Sequence, residues 1–163
     1  MSKGNFRKRR RDVDSERMDL LPADLFPKEA IMYEYEGRRI SNILLEFASP
    51  LVTGVEAENT FQFRLMLYFA ALAWNFSFFK EGEERRKALD NFLLKSEMFT
   101  EDKIKQMHTI VNSFAARKQQ SFWQYDFLLL NFEVIKGGKE STVITSAIPS
   151  FLMDINNFMG NVQ

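Results

Sequence analysis

The chain has no cysteine, one histidine, four prolines and seven glycines in 163 residues. Without thiols there are no disulfides, no zinc–thiolate centre and no cysteine nucleophile, a composition that fits a reducing compartment, with the cytoplasm as the expected location. With His108 as the sole imidazole, a His/Cys metal cluster is excluded, and a Ser-His-Asp arrangement would have to run through that residue. No metal site, cofactor or catalytic residue is assigned on this reading.

Long hydrophobic runs are also missing. The stretch Leu65 to Phe79 is broken only by Asn75 and Ser77, but Arg64 and Lys80 bracket it, leaving less than the roughly 20 apolar residues that a membrane span needs. No secretory signal is expected either, because Asp12, Asp14, Glu16, Arg17 and Asp19 stand where its apolar region would be. There is no internal repeat and no low-complexity tract.

Net charge is zero, yet the signs are unevenly placed. Met1 to Arg17 holds seven basic residues against three acidic ones, a net +4 that leaves −4 for the rest. Lys3, Arg7, Lys8, Arg9, Arg10 and Arg11 follow one another with no acid between them. Such a run suits salt-dependent contact with nucleic acid or another polyanion, and equally an anionic membrane surface, a nuclear address or a solvated tail. With one aromatic and few aliphatics, residues 1–17 cannot bury enough surface to offset the entropy of ordering, so a disordered basic leader is expected, followed by one globular domain over 18–163.

What the chain has in excess is phenylalanine, 17 residues of it, within a hydrophobic fraction of 45%. That is enough for a single core without metal or disulfide support. The segment Phe61 to Phe79 concentrates it and is apolar on nearly every side, the mark of a helix surrounded by other elements. Thr53 and Glu56 have capping-box spacing, so this central helix is expected to run from about 54 to 79.

Around it, Ile40, Ile43, Leu44 and Phe47 recur at helical spacing until Pro50, which should stop that helix. Ala88, Leu89, Phe92 and Leu93 define a further helix. Thr100 is placed to cap the next, whose stripe is Ile104, Met107, His108, Val111, Phe114 and Ala115, with Arg117 and Lys118 near its negative end. Past Tyr125 the period changes. Leu128, Leu130, Phe132 and Val134 form one apolar face, Gly137-Gly138-Lys139 supplies a turn, and Thr142 to Ile148 is a second β-branched run, together a β-hairpin. Two strands alone are marginal in water, so the hairpin must rest its apolar face on the helices or find a third strand; Tyr33 and Tyr35, alternating with Glu34 and Glu36, are the candidate partner, although Pro27 equally suits the start of a helical turn. Pro149 is placed to open a short terminal helix carrying Phe151, Leu152, Ile155, Phe158 and Met159. The fold class is α+β: a largely helical single domain around a central buried helix, with a C-terminal hairpin.

Chemistry is sparsely marked. Glu46, Glu58, Asp126 and Glu133 have apolar neighbours, the setting that raises a carboxyl pKa, but form no spaced motif. Arg64 and Asn75 are polar residues inside the apolar helix; they read as internal tethers first and as polar anchors of a ligand pocket second. The leading functional expectation is therefore a non-enzymatic binding or regulatory protein with an unidentified protein partner, its leader adding affinity for a polyanion. The alternative is a small carboxylate-based enzyme with a pocket near the central helix. A homo-oligomer hiding part of the aromatic surface is a third reading.

Overall fold

The computed structural model describes residues 15–21, 30–55, 59–80, 82–95, 99–137 and 140–154. Its elements are β1 (Ser15–Asp19), β2 (Glu34–Tyr35), β3 (Arg38–Arg39), α1 (Ile40–Val52), α2 (Thr60–Phe76), α3 (Gly82–Leu94), α4 (Glu101–Ser121), β4 (Phe127–Gly137), β5 (Glu140–Pro149) and a 3-10 turn at Ser150–Leu152. Helices and antiparallel strands share one core, as an α+β domain. The terminal helix expected after Pro149 is, within the described residues, this single turn, with Phe151 80% exposed; Ile155, Phe158 and Met159 lie outside them.

The central helix is α2. Leu67 and every residue from Ala70 to Phe76 are buried, because α1, α3, α4 and β4 all pack on it. It begins later than the Thr53 box suggests. Thr53 instead follows α1 and donates its hydroxyl to the Ser49 carbonyl at 2.6 Å, while the α2 cap is Asn59, whose side chain accepts from the Gln62 N–H at 3.0 Å. Thr53 thus serves the end of one helix rather than the start of the next.

Pro50 does not stop α1, which continues to Val52. Proline has no N–H to give the carbonyl four residues back, so Glu46 C=O loses its helical donor. Arg117 of α4 makes good the loss, donating Nη2 to Glu46 C=O at 3.0 Å and Nε to Phe47 C=O at 3.1 Å. The helix buries Ile40, Ile43, Leu44, Phe47 and Ala48. Phe47 meets Trp74, Phe114 and Phe122 edge-on, at centroid distances of 5.0, 5.0 and 5.3 Å. Trp74 in turn stacks on Phe127 at 5.0 Å and 21°. Four of the 17 phenylalanines, Phe47, Phe114, Phe122 and Phe127, are gathered with Trp74 where α1, α2, α4 and β4 meet.

The sheet has the order β1-β4-β5, antiparallel throughout. The hairpin forms as its sequence implies, but its third strand is Ser15–Asp19, not the tyrosine segment. The boundary expected between Arg17 and Met18 therefore falls inside a strand. Tyr35 belongs to the separate β2–β3 hairpin, whose tight turn places Glu36 at φ 48 and Gly37 at φ 79, as a two-residue turn of inverted hand requires. From that region Met32 bridges Ala147 on the β5 edge, and the Tyr35 ring lies 5.4 Å from that of Phe127 on β4.

The single apolar face expected on β4 is also interrupted. Leu129 opposes Ala147 and Asn131 opposes Ser146, so Leu130 is an extra residue, a β-bulge. A one-residue insertion reverses the alternation: Phe127 and Leu129 face one side before it, and Phe132 and Val134 take over that side after it. Leu128 and Leu130 are nevertheless buried, since this end of the sheet is covered on both faces.

Candidate functional site

Arg64 and Asn75 of α2 sit eleven positions apart, about 16 Å along the helix axis at 1.5 Å per residue, and do not share a site. Asn75 is 1% exposed and bonds a single peptide unit twice over. Its Nδ2 donates to Leu129 C=O at 2.9 Å and its Oδ1 accepts from Leu129 N–H at 2.8 Å. That reciprocal pair is what a residue of a neighbouring strand would exchange. β1 ends at Asp19, with Leu20 N–H still donating to Leu130 C=O at 2.9 Å. The Asn75 amide continues the ladder for one more position, just where the bulge disturbs it.

Arg64 reaches the sheet near its other end. Its Nη2 donates to Val134 C=O at 3.3 Å, and its Nη1 lies 3.5 Å from Glu16 Oε2 on β1. The side chain is 12% exposed, the Glu16 side chain 64%. Arg64 and Asn75 are both tethers of the sheet to the central helix, in keeping with the first of the two readings.

The basic residues Lys3, Arg7, Lys8, Arg9, Arg10 and Arg11 lie outside the described residues. So does Glu58. Of the other carboxylates, Glu46 is exposed and pairs with Arg38 at 2.6 Å; Arg38 also donates to the Tyr125 hydroxyl at 2.7 Å. Asp126 is exposed and holds the Ser150 hydroxyl. Glu133 stands opposite Arg17 of β1 and Ile144 of β5. His108 is partly buried and its Nε2 lies 2.7 Å from Asp90 Oδ1 of α3, joining the two helices; Asp90 also lies 3.6 Å from Arg86.

The most unusual group is one whose place in the sequence marks it only as a cation near a helix end. Lys118 is 7% exposed. Its Nζ donates to Phe122 C=O at 3.0 Å and to Tyr125 C=O at 2.7 Å, and lies 4.6 Å from the ring centre of Trp74 and 5.0 Å from that of Phe78. Burial pushes the amine down to about 8, against a smaller opposing effect of Asp126. The ammonium closes the turn after α4 from beneath and fills an aromatic cage with the protein's own side chain. A signal was present in the sequence: Lys118 follows Met107, Val111 and Phe114 at helical spacing and so belongs to the buried stripe.

Among the described residues no three or more His, Asp or Glu side chains are grouped so as to hold a metal ion, and no helix is long and apolar enough to cross a membrane. No protein-family model, no curated protein and no solved structure matches the chain.

Proposed function

We propose that the protein is a non-enzymatic binding or regulatory protein of the cytoplasm, working through surface contacts, with the basic segment Lys3 to Arg11 supplying electrostatic affinity for nucleic acid or another polyanion. The observation that carries this reading is the separation of charge along the chain: six cations without an intervening acid precede a body of net −4. Contacts of that kind release counterions and are therefore steeply salt-dependent. The role of the internal polar groups is consistent with it, because Arg64, Asn75 and Lys118 are each engaged with main-chain carbonyls of the fold.

The test compares the full chain with a chain beginning at Ser15, which keeps β1 whole. Binding to mixed-sequence DNA and RNA is measured by fluorescence anisotropy between 50 and 300 mM salt, conditions chosen to expose the salt slope. The expected result is binding by the full chain that weakens steeply with salt, and loss of that binding on truncation. Equal binding by both chains, or binding by neither, overturns the reading.

A further inference from the structure

We infer that the free edge of β1 is a self-association surface, on which a second copy of this chain adds its own β1 antiparallel to form one continuous sheet. This goes beyond the proposed polyanion contact and does not depend on it.

The sheet order leaves β1 at an edge, and among the described residues no strand lies on its other side. Which of its main-chain groups face outward follows from the ladder. Leu20 N–H donates to Leu130 C=O, and the register places Met18 opposite Phe132 and Glu16 opposite Val134. Hydrogen-bonded positions alternate in an antiparallel pair. Residues 16, 18 and 20 therefore turn their peptide groups toward β4, while Ser15, Arg17 and Asp19 present theirs to the open edge.

The side chains at those outward positions are self-complementary. Two β1 strands related by a two-fold axis through Met18 set Arg17 of each opposite Asp19 of the other, so each Arg17 exchanges its main-chain bonds with an Asp19 across the axis and the same two residues pair by charge. Moving the axis to Arg17 would put like charges face to face, which is destabilising, so charge selects a single register. Arg17 and Asp19 are about half exposed and already lie 2.7 Å apart within one copy, on the sheet face shared with Asn131 and Glu133. Pairing across the axis exchanges partners rather than burying new charge. The contact is short, and so the dimer is a weak one, well below the area of a stable interface.

The experiment is sedimentation velocity on the full chain across a dilution series from about micromolar to about millimolar, the range expected for a small interface. Four chains are compared: wild type, Arg17→Asp, Asp19→Arg, and the double exchange Arg17→Asp with Asp19→Arg. Wild type is expected to show a concentration-dependent dimer. Each single exchange places like charges across the axis and is expected to weaken it by about tenfold or more, two cross-strand pairs being reversed at once. The double exchange restores opposite charges in the same register and returns the dimer. Arg17→Pro removes an outward N–H without touching the bonds to β4 and is expected to abolish association while far-ultraviolet circular dichroism stays unchanged. A wild-type monomer throughout, single exchanges that associate like wild type, or a double exchange that fails to restore association each overturn the proposal.

Discussion

Arg117 completes the helix that Pro50 would otherwise leave open: its guanidinium lies 3.0 Å from the carbonyl of Glu46, the acceptor whose helical donor the proline lacks. The two residues belong to different helices and together let α1 run on to Val52 across a proline. A partly buried cation also rests 5.2 Å over Phe122 in the same arrangement. Removing Arg117 exposes both effects. Arg117→Leu should destabilise the fold by about 2 kcal/mol, the usual range for hydrogen bonds made by a charged group. In a Pro50→Ala background the amide N–H returns, so the same substitution should cost about 1 kcal/mol less. Urea unfolding of the four chains measures the coupling as a double-mutant cycle; strict additivity would show that Arg117 does not act through the proline's vacant bond.

Asn75 offers a sharper case, because its amide satisfies a donor and an acceptor of the same peptide. Asn75→Leu leaves both groups of Leu129 buried and unpaired, at about 1 to 3 kcal/mol each, and a loss of about 3 kcal/mol or more is expected. Asn75→Asp can still accept from the Leu129 N–H but sets a carboxylate against the Leu129 carbonyl at neutral pH. Its defect should shrink on acidification, as a protonated carboxyl regains a donor. Thermal unfolding of wild type and Asn75→Asp at pH 7 and pH 4.5 checks this; an equal gap at both values would rule out the donor function.

These residues mark where sequence was informative and where it was not. The hairpin was legible because β-branched periodicity and the Gly137-Gly138 turn are local signals. The central helix was legible because apolar surface on every side implies burial, and Arg64 and Asn75 followed as tethers since buried polar groups must be bonded. β1 was hidden. SERMD is a charged strand with one inward apolar residue, Met18, and is held by main-chain pairing to β4, which leaves almost no trace in side-chain pattern. Pro50 and Thr53 misled for a related reason. Their local rules are sound, but a partner 67 residues away in the chain, Arg117, overrides the first, and Ser49 of the preceding helix claims the second. The bulge at Leu130 was likewise unreadable from β4 alone, being defined by the register against β5 and steadied by Asn75.

Arg64 separates a buried interaction from an exposed one on the same side chain. Its bond to Val134 C=O lies under the helix, whereas Glu16 is largely in solvent. Exposed ion pairs contribute about 0 to 1 kcal/mol, so Glu16→Gln should change stability by less than about 0.5 kcal/mol. Arg64→Met keeps much of the packing but removes the donor to a strand carbonyl, and should cost about 2 kcal/mol. Equilibrium unfolding in urea distinguishes them, and comparable losses in both variants would mean that the Glu16 pair, not the strand carbonyl, carries the contribution.

Lys118 makes stability depend on pH in a direction opposite to that of an ordinary salt-bridged lysine. Burial lowers the folded amine from 10.5 to about 8. Between those values the unfolded chain holds a proton that the folded chain has released, so the unfolded state binds more protons and stability rises with pH through the window. Below pH 8 both states are charged and the cost of desolvating the ammonium is present in full. Released of its proton, the amine keeps two N–H bonds, the number needed for the Phe122 and Tyr125 carbonyls. The ring faces of Trp74 and Phe78 favour the cation and temper the effect, which leaves about 2 kcal/mol across the window. Lys118→Met has no proton to release. Urea unfolding of wild type and Lys118→Met at pH 7.5 and pH 10 isolates this group from the other lysines and the tyrosines, because they titrate alike in both chains. The stability of wild type relative to the variant should increase by about 2 kcal/mol at the higher pH. A relative stability that falls instead would show that the aromatic cage holds Lys118 charged in the fold above pH 10, with the rings outweighing desolvation.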